Sequence, residues 1–321
     1  MKKNYNSYPY TSKNISNIIF VSGVTRSGKA LVAQIIASLN GIEKVNVDFL
    51  MEQVNFLTHT KDIKKETAVY FLRRAFSILD YNLRIGREIN FRKNDFTSIY
   101  SYRNPKKYFI NLRTKEGDNV VKSLKKEKNF IPILVHHGLL TTNLFDAFDN
   151  FKFIEMLRNP IDTVFSWVNK DYGGEFYKSY RASILTLKYK KKIIPFYALG
   201  WEKKYLKLNK YERIVEIFVR LENQKEKTLK KLSRKSKKNI FYLKLEDLYI
   251  NPLDILHKLE KNLKKKRTKY TIKLLKKERL PRKIDLEEIN IKKDLLKKKL
   301  SSTYFNKLLL LEKKYLKKTN A

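Results

Sequence analysis

The sequence contains no cysteine, and this absence excludes several kinds of protein. Without thiols there is no disulfide scaffold, no thiolate zinc site and no catalysis by a cysteine nucleophile. No apolar run approaches the ~18–20 residues that a membrane-spanning helix needs, and the lysines near the N-terminus have no apolar segment behind them. We therefore expect neither a membrane helix nor a signal peptide, and we expect a soluble, cytoplasmic protein.

Acidic residues, glycine and proline are also scarce. There are 32 Asp and Glu against 71 Lys and Arg, so the net charge is +39 and the isoelectric point is near 10.0. This charge can mean a polyanionic partner such as nucleic acid, or it can reflect a genome rich in A and T, because Lys, Asn, Ile, Tyr and Phe are all abundant. Hydrophobic residues at 42% and aromatic residues at 13% exclude wholesale disorder.

Five short segments rich in apolar residues alternate with helical patterns. Such alternation predicts an α/β fold in which helices flank both faces of a parallel sheet, giving three layers. We expect a single domain over residues 1–321, with a core at about 17–260 and a helical, lysine-rich part at 261–321. A loop is expected near 55–62 within a longer helical pattern. The predicted strands are 17–23, 43–50, 131–138, 151–160 and 239–248.

The first predicted strand ends in a phosphate-binding type of loop, Gly23-Val24-Thr25-Arg26-Ser27-Gly28-Lys29. Glycines at this spacing allow a tight turn whose backbone N–H groups face an anion, and the following helix presents its positive end. Nucleotide-hydrolysing proteins use Ser or Thr at the next position to hold magnesium, but this chain has Ala30. The third and fourth predicted strands end in His136-His137-Gly138 and Arg158-Asn159-Pro160, without a carboxylate, which disfavours a magnesium-dependent kinase or hydrolase.

A second anion-binding pattern follows the fourth predicted strand. Arg158 closes that strand, Asn159-Pro160 turns the chain, and Ser166 lies eight residues after the arginine on the next helix. Arginine forms a planar fork of donors suited to phosphate oxygens, and a nearby hydroxyl can add another hydrogen bond. Both side chains can face the same end of the sheet as the glycine loop.

Together these motifs resemble those of sulfotransferases that use 3′-phosphoadenosine 5′-phosphosulfate (PAPS). The loop GVTRSGKA is similar to the modified phosphate loop of that family, RNPIDTVFS (158–166) to its second motif, and LKLEDLYINPLDIL (243–256) to a third feature. The resemblance implies a PAPS site that includes the loop residues Gly23, Thr25, Arg26, Ser27, Gly28, Lys29 and Ala30. It assigns Arg158 and Ser166 to the 3′-phosphate. Lys29 and Ala30 depart from the family, which has hydroxyl residues there.

The resemblance also implies in-line, metal-independent transfer of a sulfuryl group to an acceptor. Arg26 would stabilise the charge that develops on the leaving 5′-phosphate. A general base is expected at a histidine a little over twenty residues before Arg158, and both His136 and His137 occupy that region. Adjacent strand residues point to opposite faces, so at most one of them is expected to be the base. Asp48 and Glu52 remain rival bases.

The leading hypothesis is therefore a sulfotransferase whose partners are PAPS, its product adenosine 3′,5′-bisphosphate (PAP), and a hydroxyl acceptor, with a carbohydrate as the favoured class. No metal is required and no specific nucleic acid is expected. Residues 50–128 and the C-terminal third are expected to form much of the acceptor pocket. The alternatives are a phosphate-loop kinase or nucleotide hydrolase, and a basic nucleic-acid-binding protein.

Overall fold

A computed structural model describes residues 16–126, 129–180 and 184–318. Its seven strands form two sheets, and five of the strands form one parallel sheet in the order β2-β3-β1-β4-β7. The remaining pair, β5 and β6, is an antiparallel hairpin. The strands are β1 Ser16–Gly23, β2 Asn46–Val47, β3 Ile131–Leu134, β4 Asn150–Leu157, β5 Thr186–Tyr189, β6 Lys192–Pro195 and β7 Ile240–Lys244.

Helices make up most of the described chain and cover both faces of the sheet. The α/β fold class that the sequence predicts is therefore confirmed. The helices are α1 Lys29–Ala37, α2 Phe49–Thr60, α3 Lys65–Ile85, α4 Pro105–Asn111, α5 Asp118–Lys126, α6 Asn143–Ala147, α7 Pro160–Asn169, α8 Glu202–Lys207, α9 Lys210–Lys231, α10 Arg234–Lys238, α11 Leu245–Ile250, α12 Pro252–Leu263, α13 Lys269–Lys277, α14 Leu286–Lys297 and α15 Ser302–Lys317.

The central strand β1 shows why the sheet is covered on both faces. Ile18 and Phe20 belong to the core under α3 and α6, whereas the alternating Ile19 and Val21 belong to the core under α1, α12 and α13. All four side chains are fully buried. A strand with apolar residues on both faces is stable only between two helical layers, because either face alone would expose apolar surface to water.

The C-terminal helices form a third core with α7 and α9. Trp167 of α7, Phe218 of α9 and Leu308 of α15 are buried in this cluster. Lysines of these C-terminal helices form ion pairs with carboxylates of the helices they pack on. For example, Lys292 of α14 pairs with Asp162 of α7 at 2.6 Å. The lysine-rich segment therefore packs directly against the helix that carries Ser166.

Three local expectations differ from the structure. The strand expected at 43–50 is only two residues long, because Asp48 accepts a hydrogen bond from the Met51 backbone N–H and starts α2 as its N-cap. The loop expected near 55–62 is mostly helical, since α2 continues to Thr60. The predicted strands do not include the hairpin β5–β6. Each of its strands is only four residues long and contains a lysine, so neither strand contains a long apolar run.

Candidate active site at the carboxyl edge of the sheet

The glycine loop between β1 and α1 is shaped by two close approaches. Gly23 has φ 143°, and a Cβ there would lie 2.8 Å from the Met156 carbonyl oxygen. Gly28 has φ 88°, and a Cβ there would lie 2.5 Å from Leu245 Cδ1. Only glycine adopts these positive φ angles without strain and fits the available space. The loop can therefore pack closely against β4 and the start of α11.

This loop contains a buried hydroxyl without a partner. Ser27 is fully buried, and its Oγ has no hydrogen-bond partner within the part of the chain that the structure describes. The N-terminus of α1 also lacks a side-chain cap, because Gly28 stands at the N-cap position. Buried polar groups are normally satisfied, and exposed N–H groups at a helix N-terminus attract anions. Both features fit a bound anionic group.

Lys29 is the buried cation beneath the loop. Its Nζ donates a hydrogen bond to the Val24 carbonyl oxygen at 2.7 Å, and the residue is only 4% exposed. Burial lowers the pKa of Lys29 to about 7, although the nearby carboxylates of Glu52 and Glu155 act to raise it. Glu155 itself is held by a buried ion pair with Lys225 at 2.5 Å. The Lys29 side chain is therefore buried, bound to the loop backbone, and loses its proton more readily than an ordinary lysine.

The two anion-binding motifs meet in space. Arg26 Nε donates a hydrogen bond to Ser166 Oγ at 3.1 Å, and Arg158 Nη1 donates to the Arg26 carbonyl oxygen at 2.8 Å. Trp167 Nε1 donates to the Thr25 carbonyl oxygen at 2.9 Å. These contacts span more than 130 residues of sequence, and they place two guanidinium groups and a hydroxyl beside the glycine loop. Ala30, at the start of α1, contributes no hydroxyl to this cluster.

Sequence reasoning missed the support behind Arg158. The Asn159 backbone N–H donates to Glu246 Oε1 at 2.8 Å, and the Tyr315 hydroxyl donates to Glu246 Oε2 at 2.5 Å. Burial raises the pKa of the Glu246 carboxyl, and these hydrogen bonds oppose that rise. Tyr315 lies in a lysine-rich helix, and no local pattern marks it as part of a site. The third motif, at 243–256, does contain Glu246.

His136 follows β3 and faces a carboxylate. Glu52 Oε1 accepts hydrogen bonds from the His136 backbone N–H at 2.8 Å and lies 2.7 Å from His136 Nδ1. The carboxylate is 2% exposed, whereas the His136 side chain is 28% exposed. Burial lowers the pKa of His136, the charge of Lys29 lowers it further, and Glu52 opposes both effects. The imidazole is therefore oriented by Glu52 and neutral at pH 7.

His137 and Asp48 have different surroundings. His137 is buried at φ 53°, and its Nε2 lies 2.9 Å from the Tyr197 hydroxyl. Burial, followed by the charge of His136, holds the pKa of His137 well below its usual range. The Asp48 carboxylate caps α2, and burial raises its pKa. The structure thus pairs His136 with Glu52, whereas His137 pairs with Tyr197 and Asp48 caps α2.

A cavity of about 740 Å³ opens beside His136. Its walls come from the start of α2, from α3 and from the segment 87–97. The lining combines polar side chains such as Asp48, Asn82 and Asn90 with aliphatic side chains and the aromatic ring of Phe96. The cavity is large enough for a small-molecule ligand, and His136 is one of the residues that line it.

Among the described residues there is no cluster of three or more side chains suited to hold a metal ion, and no helix there is both long and apolar enough to cross a membrane.

No family model and no curated protein matches the sequence. Similar solved structures include the sulfotransferase domain of the curacin biosynthetic pathway, at 12% identity and a TM-score of 0.41 over 81% of this chain and 78% of that one. The sulfotransferase domain of the olefin synthase of Synechococcus PCC 7002 is 12% identical, with a TM-score of 0.44 over 95% and 96% of the two chains. A sulfotransferase from Alicyclobacillus acidocaldarius is 11% identical, with a TM-score of 0.38 over 95% and 96%. Because these scores lie below 0.5, the function proposed below rests on the geometry of the site.

Proposed function

We propose that this protein transfers a sulfuryl group from PAPS to a hydroxyl-bearing acceptor. The observation that carries the proposal is the meeting of the glycine loop with Arg158 and Ser166 at one edge of the sheet. Two separate anion-binding groups at one edge suit a nucleotide with phosphates at both its 5′ and its 3′ positions. The motif resemblance supports the same assignment.

The loop residues fit the 5′-phosphosulfate. Among the described residues Ser27 Oγ has no hydrogen-bond partner and the N-terminus of α1 has no side-chain cap, so both can donate to anionic oxygens. Arg26 would neutralise charge on the leaving phosphate, and Lys29 adds a second cation if its Nζ leaves the Val24 carbonyl. Gly23, Thr25 and Gly28 shape the backbone cradle. Ala30 offers only its backbone.

Arg158 and Ser166 would bind the 3′-phosphate and so position the nucleotide rather than take part in bond breaking. Arg158 already contacts the loop through the Arg26 carbonyl oxygen, and Ser166 contacts the Arg26 side chain. These contacts support a single binding surface for both ends of the nucleotide.

We assign the general base to His136, with Glu52 as its positioning residue. Glu52 engages Nδ1, which leaves Nε2 to accept the proton of the acceptor hydroxyl. As that oxygen forms its bond to sulfur, the bond from sulfur to the 5′-phosphate oxygen breaks and its electron pair remains on PAP. His137 is a poorer base because it is buried and bound to Tyr197. Asp48 is poorer because its carboxylate caps α2.

The cavity beside His136 is the proposed acceptor site. Amide and carboxylate side chains such as Asn82, Asn90 and Asp48 can hydrogen-bond hydroxyl groups, and Phe96 offers a flat apolar face. This mixture suits a carbohydrate acceptor. The cavity is not a purely basic site for an anionic acceptor, because Asp48, Glu88 and Asp95 line it beside the cations of Lys44 and Arg87.

Binding of PAP tests this proposal directly. A ligand at 100 times its Kd stabilises the native state by about 2.7 kcal/mol, which is readily seen in thermal unfolding. We expect such a shift with PAP and without magnesium. It should be lost in Arg158→Ala and retained in Arg234→Ala, which removes an exposed arginine at the start of α10.

A phosphate-loop kinase or hydrolase is the alternative, because Lys29 follows Gly28 as in such enzymes. It predicts a magnesium-dependent shift with ATP and none with PAP. That pattern would reject the sulfotransferase proposal. If PAP binds as expected, incubation with PAPS labelled in the sulfuryl group and a panel of mono- and oligosaccharides measures the transfer itself.

A further inference from the structure

An exposed apolar patch lies next to the cavity, outside the proposed site. Phe91 and Tyr100 are each 46% exposed and Phe109 is 41% exposed, while the neighbouring Ile110 and Leu112 are 68% and 51% exposed. Phe109 joins the aromatic members, with ring centroids 6.0 Å from Phe91 and 6.5 Å from Tyr100. We refer to these five residues as the aromatic patch.

The patch is held outward by contacts on its inner side. The Tyr108 hydroxyl donates to Glu43 Oε2 at 2.6 Å, and the Tyr102 hydroxyl donates to the Ile42 carbonyl oxygen at 2.6 Å. Both tyrosines are buried, and Lys107 adds an ion pair to Glu43 at 2.5 Å. Because buried hydrogen bonds fix these residues in the core, their sequence neighbours in the patch remain at the surface.

The surroundings of the patch are strongly basic. Residues 86–115 contain eight Lys and Arg against two Asp and Glu. Lys93, Lys106 and Arg113 are exposed, and none of them forms an ion pair with a residue that the structure describes. Like charges on both sides would oppose the pairing of two copies of this face, so the occupant should itself be anionic.

We propose that the aromatic patch and the cations around it dock the protein on an anionic lipid surface. Aromatic rings settle at the level of the lipid headgroups, aliphatic side chains enter the acyl boundary, and lysine and arginine attract acidic headgroups. Nucleic acid would use the rings for stacking, but it would leave Ile110 and Leu112, the two most exposed members, without a partner.

The position of the patch links docking to the acceptor. Asn90 lines the cavity and directly precedes Phe91, and the cavity rim carries Phe49 and Leu50, which are 55% and 53% exposed. An acceptor presented at a membrane would therefore meet the cavity where the protein touches the lipid. This last link rests on the proposed function, whereas docking itself does not.

Vesicle sedimentation with the full-length protein tests the docking. We expect binding to vesicles of phosphatidylcholine mixed with phosphatidylglycerol, weaker binding to phosphatidylcholine alone, and release by salt. The double variant Phe109→Ser/Ile110→Ser should bind at least about tenfold more weakly, since it removes two inserted apolar side chains. The control Leu253→Ser/Leu286→Ser removes apolar residues that are 57% and 71% exposed elsewhere, and it should bind as the parent does.

Several results would overturn the docking proposal. Equal binding of the parent to both kinds of vesicle would do so, as would an equal loss of vesicle binding in the control variant. So would self-association of the parent that rises with concentration and that Phe109→Ser/Ile110→Ser abolishes. The fourth such result is that Phe109→Ser/Ile110→Ser loses binding to a single-stranded RNA oligonucleotide but keeps binding to vesicles. The thermal shift with PAP, measured on the same variant, should be unchanged. A retained shift with no vesicle binding rejects the docking alone, whereas a shift absent from parent and variant alike rejects the proposed nucleotide site.

Discussion

The Tyr315 hydroxyl connects the C-terminal helix to the strand end that carries Arg158. It donates to Glu246 Oε2 at 2.5 Å, and Glu246 Oε1 accepts from the Asn159 N–H at 2.8 Å. Tyr315→Phe removes this one hydroxyl and keeps the ring, which is buried and lines a small cavity with Leu157 and Phe218. One oxygen of a largely buried carboxylate would then lose its partner.

The size of the effect follows from that loss. A hydrogen bond to a charged group contributes about 1.5–3 kcal/mol to stability. At an unfolding entropy of about 2.1 cal/mol/K per residue, a chain of 321 residues has a total near 0.7 kcal/mol/K. The Tm of Tyr315→Phe should therefore fall by about 2–4 °C. Binding of PAP should weaken as well, because the turn that places Arg158 is less firmly held.

Thermal unfolding with and without PAP measures both effects. Tyr205→Phe is the matched control, because the buried Tyr205 hydroxyl has no hydrogen-bond partner in the described part of the chain. That substitution should leave the Tm unchanged or raise it. If Tyr315→Phe melts and binds PAP as Tyr205→Phe does, the hydrogen-bonded link from Tyr315 to Asn159 has no energetic role and the reasoning is refuted.

Four further substitutions test the site. His136→Asn should lower turnover by about 10²–10⁴-fold, and an unchanged turnover would mean that another residue is the general base. In the parent, activity should fall as the pH drops through the pKa of His136, which lies below the usual 6.5. Glu52→Gln removes the carboxylate that raises this pKa, so the acid limb of the pH–rate profile should move to lower pH and turnover should fall. Lys29 is a cation only below a pKa of about 7, so the affinity for PAP should fall as the pH rises through 7 in the parent and much less in Lys29→Met, as measured by calorimetry. Gly28→Ala places a residue with a Cβ at φ 88°, and that Cβ would lie 2.5 Å from Leu245. The free energy of unfolding in urea should therefore fall by about 2–4 kcal/mol. A near-neutral effect would mean that the loop can move.

The parts of the fold that the sequence predicts are those set by short-range pattern. The segments 17–23, 131–138 and 151–160 are rich in apolar residues, and strands of this kind are stable only when both faces of the sheet are covered. The glycine loop and the Arg158 turn are equally local, because glycine spacing and Asn159-Pro160 constrain the backbone directly. These patterns were sufficient to predict a parallel α/β sheet with an anion-binding loop after its first strand.

The incorrect secondary-structure predictions concern segments whose polar side chains form hydrogen bonds that the local pattern does not reveal. The segment 43–50 alternates as a strand would, yet Glu43 binds Tyr108 and Lys107 from more than 60 residues away, and Asp48 caps α2. Local strand propensity does not predict such partners, because the hydrogen bonds that determine the conformation come from residues distant in sequence.

The same distinction applies to the site. Short motifs were enough to name Arg26 and Arg158 as candidates, whereas the histidine pair was named by the family resemblance, through its distance from Arg158. Only the tertiary structure separates His136 from His137: Glu52, 84 residues away, orients the first, and Tyr197 engages the second in a buried position. Tyr315 likewise joins the site only in the folded chain, through its hydrogen bond to Glu246, 69 residues away. Adjacent residues in a chain share local propensity, but burial and partners across the fold determine the pKa, orientation and access of each.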